Sequence, residues 1–109
     1  MYAPVLAAAM REMGDSAGAL ALLADRLDVI ERSGAPDMVL LAYRTLADSA
    51  LDHGDERRAL HVLENMEAFG RRRDLPRLIA HSLAARVRGP AHRRGAAARG
   101  RGAHAGRRT

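Results

Sequence analysis

The sequence predicts an all-α fold, an α-solenoid of antiparallel helix pairs followed by a disordered basic tail. Three observations carry that expectation. Apolar residues recur at spacings of three and four between turn signals, and no segment alternates with the period of two that marks a half-buried strand. A 40-residue register matches turn to turn and apolar face to apolar face. From Arg86 onward the chain holds eight arginines, no acid and, past Val87, no large apolar side chain.

The elements follow in order. Pro4 suits the first turn of a helix running to about Met13, which Gly14-Asp15-Ser16 breaks. From Ser16, a natural N-cap, Leu20, Leu23, Leu27 and Ile30 share one face of a second helix, and Gly34 stops it. Pro36 begins the third, with Asp37 in the first turn where the helix dipole favours an anion. Val39, Ala42, Tyr43, Leu46, Ala47 and Ala50 form its apolar side, and His53-Gly54 ends it. Asp55 caps a fourth helix, whose face is Ala59, Leu60, Leu63 and Met66 and which runs out near Gly70. Asp74 and Pro76 open a fifth, with Leu75, Leu78, Ile79 and Leu83 together.

The register maps Gly14-Asp15 onto Gly54-Asp55, Ala19-Leu20 onto Ala59-Leu60, Leu23 onto Leu63, Leu6-Ala7 onto Leu46-Ala47 and Pro36 onto Pro76. Each unit reads helix, Gly-Asp turn, helix, then a Gly/Pro-marked break. Such a unit cannot bury its apolar face alone and stacks on its neighbour instead. The chain carries about two and a half units, so Leu78, Ile79 and Leu83 are expected to form an uncapped C-terminal face. The expected cover is the rest of a longer superhelix or self-association.

Composition excludes much enzymology. There is no cysteine, hence no disulfide, thiolate zinc site or thiol nucleophile, and all 18 basic residues are arginine, so lysine chemistry is absent. His53, His61 and His81 show no metal-ligand spacing, and the acids Asp48, Asp52, Asp55 and Glu56 read as a solvated face opposite Arg57 and Arg58. Pairs Asp28–Arg32 and Glu67–Arg71 have the i, i+4 order that supports an exposed helix. No catalytic residue, metal or cofactor is expected. No apolar run reaches the roughly 18–20 residues of a spanning helix. Met1 to Met10 has no basic region before it and reads as the start of a helix rather than a signal peptide. The expected location is cytoplasmic.

The run Gly-Asp-x-x-x-Ala-Leu-x-x-Leu at 14–23 and again at 54–63 resembles tetratricopeptide-type repeats. Longer phrases resemble the helical-repeat region of MalT-like LuxR-family transcriptional regulators. They are Ile30 to Asp37, Leu41 to Ala47, Gly54 to Leu60, Glu67-Ala68-Phe69-Gly70 and Leu75 to Leu78. The resemblance covers about residues 3–88. It implies a tetratricopeptide-like superhelix over 1–88 that binds an inducer or regulatory protein, in regulators whose ATPase module precedes it and whose helix-turn-helix follows. This chain has no Gly-rich phosphate loop and no recognisable helix-turn-helix, so only the repeat role carries over. In such superhelices the first helix of each pair lines the groove, which makes Arg44, Asp48 and His81 the candidate contacts for a protein or small-molecule effector.

Residues 1–85 carry a net charge of −3 and residues 86–109 a net of +8. The segment 89–109 is built from Arg, Ala, Gly, Pro and His with a terminal Thr, which cannot bury a core and is expected to be disordered. Arginine without lysine points to GC-rich DNA, which read out of frame yields such a tail, so a frameshift-truncated regulator fragment is expected. The alternative is a freestanding small repeat protein that binds nucleic acid through the tail. Without interleaved aromatic residues for base stacking, the tail is expected to contact nucleic acid only non-specifically.

Overall fold

The computed structural model describes residues 3–87; the expectation for 89–109 falls outside them. Among the described residues the chain is all-helical and has no strand. Four helices are α1 (Ala3–Glu12), α2 (Ser16–Ser33), α3 (Pro36–Asp52) and α4 (Glu56–Arg73), and a fifth, α5, occupies 76–87. Helix α3 is the centre, packed against α1, α2 and α4, and α1 also packs on α2. No helix among the described residues is long and apolar enough to cross a membrane.

The helix ends repeat one geometry. After α1, the Gly14 N–H donates to the Arg11 carbonyl at 2.9 Å and the Asp15 N–H to the Met10 carbonyl at 2.8 Å. After α3, Gly54 donates to Leu51 at 2.9 Å and Asp55 to Ala50 at 2.9 Å, each bond 40 residues further on. These are Schellman closures, which need a left-handed residue just past the helix. Gly14 and Gly54 supply it, with φ of 89° and 76°. The following aspartate then caps the next helix: the Gly18 N–H donates to Asp15 Oδ1 at 2.9 Å, and the Arg58 N–H to Asp55 Oδ1 at 3.0 Å. Asp15 is therefore the cap of α2, and Ser16, expected in that role, is its first helical residue.

The openings of α3 and α5 match in the same way. The N–H groups of Met38 and Val39 donate to the Ala35 carbonyl, and those of Leu78 and Ile79 to the Leu75 carbonyl. Asp74 does not open α5 as expected. It adopts φ 55°, ψ 56°, and closes α4 with the Asp74 N–H on the Arg71 carbonyl and the Leu75 N–H on the Gly70 carbonyl.

The core is aliphatic and alanine-rich, with Ala7, Ala19, Ala42, Ala50 and Ala59 letting helices approach closely and Leu23, Ile30, Tyr43, Met66 and Leu78 filling the space. The expected faces of α2 and α3 hold, Leu27 being only partly buried. That of α4 is rotated: Leu60 is 41% exposed, while Val62 and Phe69 join Ala59, Leu63 and Met66 inside. On α5, Leu78 is buried, Ile79 is half-buried and Leu83 is exposed, and Leu75 just before it is half-buried. Helix α4 continues past Gly70 to Arg73. Gly70 is where α5 crosses, since a Cβ there would stand 3.0 Å from Ile79 Cγ1 and 3.1 Å from Leu78 Cβ.

The shared closure gives opposite expectations at its two kinds of left-handed residue. Gly54→Ala is expected to destabilise the fold by about 1 kcal/mol, because an L side chain is strained at positive φ. Asp74→Gly is expected to stabilise it by about 0.5–1 kcal/mol, relieving that strain and removing an anion from the negative end of α4. Urea unfolding of the two variants measures both.

Candidate functional site

The chemistry-bearing side chains gather at helix crossings. At the α1–α3 crossing, Arg11 Nε donates to Asp52 Oδ2 at 2.8 Å, Arg11 Nη2 to Oδ1 at 3.3 Å, and Ser16 Oγ to Oδ2 at 2.6 Å. Partial burial of Asp52 works to raise its pKa, but the hydrogen bonds from Arg11 and Ser16 and the Arg11 charge outweigh it and hold the carboxyl below its ordinary range. The hydrogen bond to Asp52 raises the Arg11 pKa in turn, with Asp48 adding to the field. The expected placement of these acids opposite Arg57 and Arg58 is thus corrected at Asp52, whose cation comes from α1.

At the α2–α3–α4 crossing, the Tyr43 hydroxyl donates to a Glu31 carboxylate oxygen. Burial, then the bond to Glu31, pushes the phenol pKa up, so Tyr43 stays protonated and donating. Its ring lies 6.2 Å from that of Phe69 at 40°, and the Arg72 and Arg73 guanidiniums stand 5.8 and 5.3 Å from the Phe69 centroid. On α4, Glu67 accepts from Arg71 at 2.9 Å, as the i, i+4 spacing predicts, and also from Arg86 of α5. Asp28 and Arg32 form no such pair among the described residues.

Arg44 and Asp48 stand one turn apart on α3, and His81 is on α5. Arg44 is exposed, while Asp48 and His81 are half-buried, and no ion pair joins Arg44 to Asp48 among the described residues. Asp48 is tied instead to the α1 crossing through its field at Arg11. A shallow apolar depression lies where α3 and α5 begin, lined by Pro36, Leu40, Leu75, Pro76, Arg77 and Leu78. Arg77 Nη1 donates to Asp37 Oδ1 beside it at 2.8 Å. The depression holds about 70 Å³, room for an aliphatic side chain but far below the roughly 300–1,000 Å³ of pockets that enclose small molecules.

Sequence reasoning misses the Arg11–Ser16–Asp52 clamp and the Tyr43–Glu31 bond. The one available signal is the register, because Arg11–Asp52 spans 41 residues and Asp37–Arg77 spans 40. No group of three or more His, Asp or Glu side chains among the described residues is gathered to hold a metal. An aspartate held ionised and a tyrosine held protonated suit binding and positioning, not proton transfer near neutral pH. No family model, curated protein or solved structure matches the chain.

Two expectations follow. Because the folded pKa of Asp52 is depressed, its stabilisation is present above the ordinary aspartate pKa and is lost as pH falls through the folded value. Asp52→Asn is therefore expected to cost about 0.5 kcal/mol at pH 7, discounted for exposure, and the gap should narrow as pH falls below the ordinary aspartate range; urea midpoints at neutral and acid pH test it. Ser49 Oγ is buried on α3 without a hydrogen-bond partner. Ser49→Ala is expected to raise stability by about 1 kcal/mol in the same assay, since a buried unpaired hydroxyl costs more than the methyl replacing it.

Proposed function

We propose that residues 3–87 form a non-enzymatic helical-repeat module, an α-solenoid of tetratricopeptide type. In this reading it serves protein–protein interaction in a regulator of the MalT-like LuxR family, and the chain is a fragment of such a transcription regulator. The observation that carries the reading is the recurrence of one turn geometry, Schellman closure followed by an aspartate cap, at a 40-residue offset. Further support comes from the matching starts of α3 and α5 and from Asp37–Arg77, an ion pair between equivalent positions of consecutive units. The occupant of the groove is a protein segment. The depression between α3 and α5 fits an apolar side chain beside an ion pair, and Arg44, Asp48 and His81 supply polar contacts along the same helices. Binding there biases the arrangement of attached domains.

The second reading, nucleic-acid binding through the tail, is favoured by the charge step from −3 to +8. Two measurements separate the readings. Sequencing the DNA on both sides of the gene is expected to find a neighbouring frame that resumes leucine-rich repeats and ends in a helix-turn-helix; its absence overturns the regulator assignment. A salt titration of the full chain on random-sequence single-stranded DNA is expected to give weak binding that falls steeply with salt and disappears when residues 89–109 are removed. Tight, sequence-selective binding that survives moderate salt favours the second reading instead.

A further inference from the structure

Asp37, Leu40, Arg44 and Asp48 follow one another on α3 at steps of three, four and four, so they share one face. The first two fix where that face points. Asp37 accepts from Arg77 of α5 at 2.8 Å, and Leu40 lines the depression with Leu75 and Leu78. Arg44 therefore continues the same wall one turn beyond Leu40. The charges along this wall are unequally engaged. Asp37 is held by Arg77, and Asp48 adds to the field at Arg11 on α1. Arg44 is exposed and forms no ion pair among the described residues. The groove thus offers an apolar depression and, one turn on, an unengaged cation.

We propose that the groove docks an acidic amphipathic helix of a partner protein, one that seats a leucine in the depression and sets a carboxylate, four residues along, against Arg44. The inference rests on the groove reading above and gives its occupant a chemistry. Residues four apart on a helix stand about 6 Å apart, so one turn of the partner lies along the Leu40–Arg44 turn of α3. The depression, about 70 Å³, takes one aliphatic side chain. An exposed ion pair is weak, so the leucine supplies the affinity and the carboxylate the selection. Residues 88–109 do not fit the role, because they hold no acid and no large apolar side chain. A second copy offers Leu60 and Glu64, exposed and four apart on α4. That contact joins unlike faces and leaves one of each open, so it builds rings or filaments rather than a closed pair.

The test titrates fluorescein-labelled, alanine-rich helical peptides with the full chain and reads anisotropy. One peptide carries leucine followed four positions later by glutamate. A second has lysine in place of the glutamate, and a third has alanine in place of the leucine. The leucine–glutamate peptide is expected to bind best, and loss of its leucine to weaken binding about ten-fold. Arg44→Glu, with far-UV circular dichroism and the urea midpoint checking the fold, is expected to weaken it about five-fold and to transfer the preference to the leucine–lysine peptide. A merely structural role for Arg44 would not exchange the preference. Leucine-dependent binding that ignores the charge at position 44 overturns the acidic partner and leaves the groove reading standing. Glutamate-dependent binding that needs no leucine and ignores Arg44→Glu overturns the proposal, the acid being held elsewhere on the chain. No binding of any peptide overturns the groove reading as well. A full chain that sediments as an oligomer, dissociated by Arg44→Glu and restored by adding Glu64→Arg, overturns the choice of partner in favour of a second copy.

Discussion

Tyr43 is the contact on which the arrangement turns. Its hydroxyl reaches Glu31 on α2 while its ring rests against Phe69 on α4, so one side chain ties α3 to the helices on either side of it. The sequence has three aromatic residues, and two of them meet here. Elsewhere the interior is leucine and alanine, which fill space without fixing orientation as firmly as a large ring with a polar tip. Burial and Glu31 keep the phenol protonated, so the bond persists over the ordinary pH range. The arginines above Phe69 cover the other edge of the same cluster.

The faces of α2 and α3 were legible from spacing alone because both helices are packed by neighbours inside the described residues. Leu20 is 9% exposed and its counterpart Leu60 is 41%, although both fit the same apolar period. Periodicity reports which residues could be buried and says nothing of whether a helix arrives to bury them. Gly70 departs from its helix-ending pattern for a related reason. Glycine ends helices so often that its use as a notch for a crossing helix is invisible until the crossing is known. Asp15 and Ser16 are both good caps, and the choice fell to the one whose carboxylate reaches the Gly18 N–H. For Arg44, Asp48 and His81, sequence reading gives only their positions on α3 and α5. That the charge of Asp48 is felt at Arg11 depends on the approach of α1, which local pattern does not encode.

The cross-helix ion pairs sit on exposed ground and contribute little to stability individually. Their value lies in registration. Arg77 meets Asp37 at a separation of 40 residues and Arg11 meets Asp52 at 41, so each reads whether a helix has settled beside its neighbour at the right height. Alanine-rich helices slide and rotate against one another at low cost, and charges at fixed separations penalise the misaligned alternatives. Arginine suits this role, because its planar fork fixes direction as well as distance.

Only two or three residues separate successive helices, with Schellman closure and an aspartate cap at the breaks after α1 and α3. Helix contacts therefore join elements that follow one another in the chain or lie one apart. Little entropy is spent closing loops before packing begins to repay it, and chains of such low contact order fold on the microsecond-to-millisecond scale. On the ribosome, each hairpin is able to collapse as soon as its second helix emerges, with no need to wait for distant sequence. The tight turns that shape the native state thus also order its assembly, from the first helix pair outward.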